Sequence, residues 1–296
     1  MKVFINKVIC KFLFLHDLSG WHYSARGSFR DYWIRTPSKL TKKEQTALAA
    51  WQKLNADFYK KKKDFILGNY LSGKLNKHDR KTILSTFEIL GPRFEFHYQQ
   101  QLPNMKKVAA YLRKFKGSRH LEKTHKLYGI KDRNLPIYLA MSHNANKSAG
   151  GMRLGSFVIL QFGDYKLKKD NSTMLNVLSH ELTHGGSVSR YLSAKPNIKL
   201  PRLFTGDTKD FIDEVIHKAL WSEIGLFSQK QFGWSDQKVE KSYRFLLEKS
   251  KDPHKEIIKK AFGVRDYLAE KFRNSPDFKF SPSSAREIVS IIEENA

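Results

Sequence analysis

Residues 171–186 read NSTMLNVLSHELTHGG and contain a His-Glu-Leu-Thr-His segment at positions 180–184. In an α-helix, positions four residues apart lie one turn apart on the same side, so His180 and His184 can direct two imidazoles at one metal ion. Glu181 lies beside this pair, where its carboxylate can accept a proton from a water molecule without binding the ion. Two imidazoles beside an open coordination position are typical of catalytic zinc. The motif therefore predicts a zinc-binding helix with Glu181 as general base.

The residues around this motif favour a helix. Asn171 or Ser172 can cap its first turn, and Gly185-Gly186 permits the chain to leave the helix directly after the second histidine. The apolar residues fall on a stripe away from the histidines: Met174, Leu175, Leu178 and Leu182. A motif on an amphipathic helix indicates a real site more strongly than the bare pattern does.

A catalytic zinc site needs a third protein ligand. In the metzincin pattern a glycine and a histidine follow three and six residues after the second histidine, but Ser187 and Arg190 stand there, which excludes that pattern. A second helical pattern, DFIDEVIHKALW, lies at 210–221, beyond a loop that contains prolines. Glu214 on this segment is the leading third ligand. Four other residues of the same region stay open as alternatives: Asp210, Asp213, His217 and Glu223.

HELTH at 180–184 followed by DEVIHKAL at 213–220 resembles the gluzincin group of zinc metallopeptidases, the thermolysin-like branch of the zincins. The resemblance covers roughly residues 135–225. It implies one zinc ion bound by His180, His184 and Glu214, and peptide-bond hydrolysis by a metal-activated water with Glu181 as general base. It does not distinguish endopeptidase from exopeptidase action. In several gluzincins an aspartate four residues after the third ligand orients a zinc-binding histidine. Lys218 stands at that place here, so the orienting partner must come from elsewhere.

Two short apolar segments upstream, LPIYLAM at 135–141 and SFVILQF at 156–162, predict β-strands separated by a glycine-containing loop. On the zincin resemblance, the second would be an edge strand that aligns an extended peptide substrate by main-chain pairing.

The implied reaction also needs a hydrogen-bond donor for the tetrahedral oxyanion. His217, one turn beyond Glu214, is the principal candidate. Further candidates for this role are Tyr191, Tyr243 and Arg190. His143, in the loop between the two predicted strands, could line the cleft.

The chain is strongly basic, with 54 Lys+Arg against 29 Asp+Glu and a net charge of +25. Residues 1–150 hold most of this excess, which predicts an anionic partner for that region: an acidic protein, an anionic polymer, a membrane surface or a nucleic acid. Two alternative functions follow. The chain could be a basic nucleic-acid- or anionic-surface-binding protein with a non-catalytic HExxH site, or a zinc hydrolase that acts on cell-wall peptide crosslinks.

The remaining sequence patterns limit which fold classes are possible. A single cysteine, Cys10, excludes an internal disulfide, and no apolar stretch is long enough to span a bilayer. Residues 1–15 do not match a signal peptide, because lysines interrupt the apolar run; their spacing predicts an amphipathic helix that packs on the protein rather than on a membrane. Thr41 and Glu44 predict a capping box at the start of a long helix. We therefore expect an α+β fold, predominantly α, with a basic helical region at 1–133 and a zincin-like region with a small sheet at 134–296.

Overall fold

The computed structural model of the chain describes residues 2–20, 28–62, 66–115, 119–130, 135–142, 150–154, 157–184, 186–193, 196–201, 204, 207–250 and 253–294. Its elements, in chain order, are β1 (Val3–Ile5), α1 (Lys7–Ser19), α2 (Ser28–Arg35), α3 (Lys42–Lys62), α4 (Ile66–Leu71), α5 (Lys77–Ile89), α6 (Gly91–Lys114), α7 (Arg119–Tyr128), β2 (Ile137–Ala140), β3 (Gly151–Leu154), β4 (Phe157–Gln161), α8 (Ser172–Thr183), α9 (Thr208–Leu220), α10 (Leu226–Phe232), α11 (Asp236–Lys249), α12 (His254–Asn274) and α13 (Pro282–Glu294). A mostly helical chain with one small sheet confirms the predicted α+β class.

The chain forms two compact units. One comprises Met1–Phe115 and Pro136–Asp170, and the other comprises Lys116–Leu135 and Asn171–Ala296. This division differs from the single boundary predicted near residue 133. The reason is non-local pairing: β1, at the start of the chain, pairs with β2, so the sheet belongs with the helices that precede residue 115. The predicted metal-binding helices, α8 and α9, both lie in the second unit.

The sheet of the first unit has the strand order β1-β2-β4-β3. β1 and β4 each run parallel to β2, and β3 runs antiparallel to β4. The strands predicted at 135–141 and 156–162 are confirmed as β2 and β4. The expectation that 156–162 forms an edge strand is wrong, because β4 lies inside the sheet. Residues 151–154, expected to be loop, form β3 on its outer side, so the main-chain groups of β4 are already paired on both sides.

The N-terminal segment packs into the protein, as predicted, although its first residues form β1 rather than helix. α1 begins after Asn6, whose side chain accepts hydrogen bonds from the backbone of Val8 and Ile9. Phe12 is fully buried and its ring lies 4.7 Å from that of Trp51 on α3. Cys10 is a free, buried cysteine. Among the described residues, no helix is both long enough and apolar enough to cross a membrane.

The start of α3 and the course of α6 show how local sequence signals and burial determine the helices of this unit. Thr41 and Glu44 form the predicted capping box, with reciprocal hydrogen bonds of 2.8 and 3.2 Å between side chain and backbone N–H. α6 continues through Pro103, a residue that usually ends or kinks a helix. The buried side chains of α6 keep their helical spacing on both sides of the proline, from Phe94 to Leu112, and this burial outweighs the one lost backbone hydrogen bond.

Candidate metal centre

The predicted HExxH helix is present as α8, in the second unit. Asn171 occupies the N-cap position, although its side chain does not make the capping hydrogen bond, and His184 is the C-cap residue. The apolar stripe predicted for the helix is buried, with Met174 and Leu178 at 0% exposure. This packing holds one side of α8 in the core and leaves the two histidines on the side that meets α9.

Three side chains converge on one point in the second unit. The Nε2 atoms of His180 and His184 are 3.0 Å apart. Glu214 on α9 directs Oε2 at both of them, at 3.6 Å from His180 and 3.7 Å from His184. The sequence-predicted third ligand is therefore the carboxylate that the structure brings to the two imidazoles.

The spacing of these donors fits a zinc ion. Bonds of about 2.0–2.2 Å in tetrahedral geometry place neighbouring ligand atoms roughly 3.3–3.6 Å apart, close to the three separations of 3.0, 3.6 and 3.7 Å. The donors are also chemically suitable, because two imidazole nitrogens and one carboxylate oxygen form a known catalytic zinc set. Three protein donors leave a fourth position for water or substrate.

A backbone carbonyl fixes the orientation of His180. Its Nδ1 lies 3.2 Å from the carbonyl oxygen of Trp221, the residue that ends α9. Because a carbonyl can only accept, Nδ1 carries the proton and Nε2 is left with the lone pair that a metal ion requires. Trp221 is held in turn by its indole N–H, which donates to Thr124 Oγ1 at 2.9 Å. This carbonyl is the orienting partner for which the sequence offered no aspartate.

Glu181 has the environment of a general base. Its side chain is buried, and Oε2 lies 3.8 Å from His184 Nε2, so that His180, Glu181 and His184 have ligand atoms within 4.8 Å of one another. Burial raises the pKa of the Glu181 carboxyl to about 7; the nearby His180 lowers it and Glu214 raises it. A carboxylate that accepts a proton near neutral pH is suited to moving protons during hydrolysis.

Glu214 is anionic and is shared between two sets of contacts. Burial alone would raise its pKa, but His180, Lys218 and His184 outweigh that effect and hold the pKa of the Glu214 carboxyl well below its usual range. Oε2 faces the histidines, while Oε1 lies 3.8 Å from Lys218 Nζ. Lys218, at the place where the gluzincin pattern has aspartate, therefore contacts Glu214, the predicted third ligand.

The alternative acidic ligands have other roles. Asp210 closes a capping box with Asp207 at the start of α9. Asp213 accepts four hydrogen bonds from Ser187, Val188 and Ser189, at 2.6–3.2 Å. Glu223 is exposed and lies beyond the end of α9. Asp213 thus ties α9 to the segment that follows the second histidine, and so fixes where Glu214 lies relative to α8.

His217 lies behind the ligand cluster. It is 1% exposed, and its ring packs edge-on against His184, with centroids 4.4 Å apart. Its Nε2 lies 3.3 Å from the Gly186 carbonyl, so Nε2 carries a proton and donates it. Burial lowers the pKa of His217 well below its usual range, and His184 and His180 add to this. His184, Glu214 and His217 form a second group whose ligand atoms lie within 4.8 Å of one another. These contacts suit a residue that positions His184 better than one that touches substrate, and its role at the oxyanion stays a prediction.

The other predicted oxyanion donors are engaged elsewhere or fall outside the described residues. Arg190 donates to the Tyr128 carbonyl and to the hydroxyl of Tyr191, over whose ring it also stacks. Tyr243 stacks on Phe262, with ring centroids 4.0 Å apart, where α11 meets α12. His143 lies outside the described residues.

Two further residues belong to this site: Gly186, which the sequence marked only as a place where the chain can leave the helix, and His254, which no sequence signal singled out. A Cβ atom at Gly186 would overlap the ring of Tyr128, so the backbone that follows α8 can take this position only with glycine. His254, the first residue of α12, lies within the electrostatic reach of the cluster: desolvation lowers its pKa, Lys218 lowers it further, and Glu214 raises it. The sequence could not reveal His254 as a neighbour of this site, because its position depends on the packing of α12 against α9.

Replacing Lys218 by methionine should weaken zinc binding about 10-fold or more, since outer partners of metal ligands typically contribute that much. The methionine cannot hold Glu214 Oε1, whereas Lys218→Arg keeps the charge and should restore most of the affinity. Competition with a chromophoric chelator measures the zinc dissociation constant. Lys209→Met, an exposed lysine on the same helix, is the matched control. An equal loss in both methionine variants would show that net charge acts, not the contact with Glu214.

Comparisons with known proteins found no matching family model, no matching curated protein and no matching solved structure. The chemistry assigned to this centre therefore rests on its own side chains and their geometry.

Proposed function

We propose that this chain is a zinc-dependent metallopeptidase with a gluzincin-like ligand set. One observation carries the proposal: His180 Nε2, His184 Nε2 and Glu214 Oε2 converge with separations of 3.0–3.7 Å, and the buried carboxylate of Glu181 lies beside them. Two imidazoles and a carboxylate with an adjacent, non-ligating glutamate are the groups that metal-assisted peptide hydrolysis requires.

The residues divide the work of the reaction. His180, His184 and Glu214 would hold the zinc ion, which when bound polarises a carbonyl group and makes a water molecule acidic. Glu181 accepts the proton of the attacking water and delivers it to the leaving amine. The Trp221 carbonyl keeps Nε2 of His180 deprotonated, and Lys218 holds the outer oxygen of Glu214.

Access to the centre favours catalysis over a purely structural site. The side chains of His184 and Glu214 are 30% and 23% exposed, so solvent reaches the ligand cluster. Nε2 of His217 is engaged with the Gly186 carbonyl oxygen, at 3.3 Å. Structural zinc sites are usually closed by four protein ligands, whereas catalytic sites keep one position open.

The test is cleavage of a defined peptide mixture by the zinc-loaded chain, followed by mass spectrometry. We expect new peptide termini that appear with zinc, disappear after removal of zinc by a chelator, and return when zinc is restored. The cleavage positions distinguish endopeptidase from exopeptidase action. A zinc-loaded chain that leaves both short peptides and an unfolded protein substrate intact would contradict the proposal.

A further inference from the structure

Most of the positive charge belongs to the first unit, which holds none of the candidate metal ligands. Residues 1–115 and 136–170 contain 28 Lys and Arg against 10 Asp and Glu, a net charge of +18 out of the total of +25. A field of this size attracts polyanions and raises their association rate. The question is whether the surface of this unit offers a shaped site for one.

A groove of about 690 Å³ lies between α3 and α5 in this unit. Its lining residues are Lys42, Lys43, Thr46, Ala47, Ala50, His78, Lys81, Thr82, Ser85, Thr86 and Ile89. The small side chains of Ala47 and Ala50 leave the space between the two helices open. Lysines stand on both walls: two at the start of α3 and Lys81 on α5.

The charges of this groove are not neutralised by the protein. Its lining contains no aspartate or glutamate. Within the described part of the chain, none of Lys42, Lys43 and Lys81 forms an ion pair, and all three are exposed. Unpaired lysines that face one another across a concave surface create a local positive potential that a bound anion would relieve.

We propose that this groove, lined on both walls by Lys42, Lys43 and Lys81, binds the sugar–phosphate backbone of a nucleic acid without regard to its sequence. A groove accommodates a linear chain, whereas a flat membrane surface cannot enter it. Lysine is an established ligand of phosphate groups. The lining offers no phenylalanine, tyrosine or tryptophan on which bases could stack, so the contacts fall on the backbone. This site is independent of the metal centre and of the proposed peptidase activity.

The experiment measures binding of a fluorescent 20-nucleotide oligothymidylate to the full chain by anisotropy, at several salt concentrations. The test variant is Lys42→Gln/Lys43→Gln/Lys81→Gln. We expect wild type to bind with a steep salt dependence and the variant to bind at least 10-fold more weakly at low salt. Loss of three phosphate contacts should also reduce the slope of log K against log salt by about 2.

The matched control is Lys106→Gln/Lys107→Gln/Lys114→Gln, which removes three exposed lysines of α6 in the same unit. We expect its affinity to stay within about 2-fold of wild type and its salt slope to change little. Thermal unfolding checks that both triple variants remain folded.

Four results would overturn the proposal. They are equal losses of affinity in the two triple variants, no oligonucleotide binding even at low salt, binding of polyglutamate as tight as that of the oligonucleotide, and binding to vesicles of anionic phospholipid with none to the oligonucleotide. The first would assign the effect to net charge, and the last two would assign the groove to another class of partner.

Discussion

The Glu181→Gln variant is expected to bind one zinc ion per chain, like the wild type, and to hydrolyse peptides about 100- to 10,000-fold more slowly. Glu181 Oε2 lies 3.8 Å from His184 Nε2, and the HExxH pattern assigns this glutamate to proton transfer rather than to metal binding. A glutamine keeps the size and shape of the side chain but cannot accept the proton of the attacking water. Loss of a general base typically reduces the rate by this amount.

Zinc content and peptide cleavage, measured on the same sample of Glu181→Gln, separate binding from chemistry. Glu223→Gln is the control, because it removes an exposed carboxylate of the same unit and should change neither quantity. Full activity in Glu181→Gln would show that another group moves the proton. Loss of zinc together with activity would show that Glu181 is a ligand instead.

Replacing Asp213 by alanine should lower the free energy of unfolding by about 3 kcal/mol. The carboxylate accepts hydrogen bonds from the backbone N–H groups of Val188 and Ser189 and from two serine hydroxyls. Val188 and Ser189 are buried, at 0% and 4% exposure. Their N–H groups would lose their partner, and each buried unsatisfied group costs about 1–3 kcal/mol. Because α9 loses its connection to the segment after α8, zinc affinity should fall as well.

Urea unfolding of the metal-free protein measures the change in the free energy of unfolding. Asp210→Ala, three residues earlier on the same helix, is the control: it removes one half of an exposed capping box and should cost only about 1 kcal/mol. A smaller loss in Asp213→Ala than in Asp210→Ala would contradict the role assigned to Asp213.

The parts of the site that the sequence could predict are those set by helical spacing. His184, the C-cap residue of α8, lies one turn beyond His180, and Glu214 lies on a helix whose apolar residues already showed a helical period. The capping box of α3 was equally local. His180 with His184, and Thr41 with Glu44, are separated by only a few positions, so the backbone geometry of one helix fixes each pair.

What could not be predicted depends on contacts between distant segments. The hydrogen-bond partner of His180 is the main-chain carbonyl of Trp221, and because every residue has a main-chain carbonyl, the sequence does not indicate this one. In the sequence alone, nothing distinguishes the roles of the carboxylates of Asp210, Asp213 and Glu214. Asp213 is the one that connects α9 to residues 187–189, and this becomes visible only when that segment packs against the helix. The interior position of β4 follows from its pairing with β2 and β3, and the division into two units follows from the pairing of β1 with β2.

The most direct test of the central claim is the zinc content of the purified chain and of Glu214→Ala, measured side by side after dialysis against metal-free buffer. The claim is that His180, His184 and Glu214 form one zinc site. It predicts one zinc ion per wild-type chain and almost none in Glu214→Ala, with wild-type content in Glu223→Ala. A wild-type chain that retains no zinc, or a Glu214→Ala variant that retains it fully, would contradict the account.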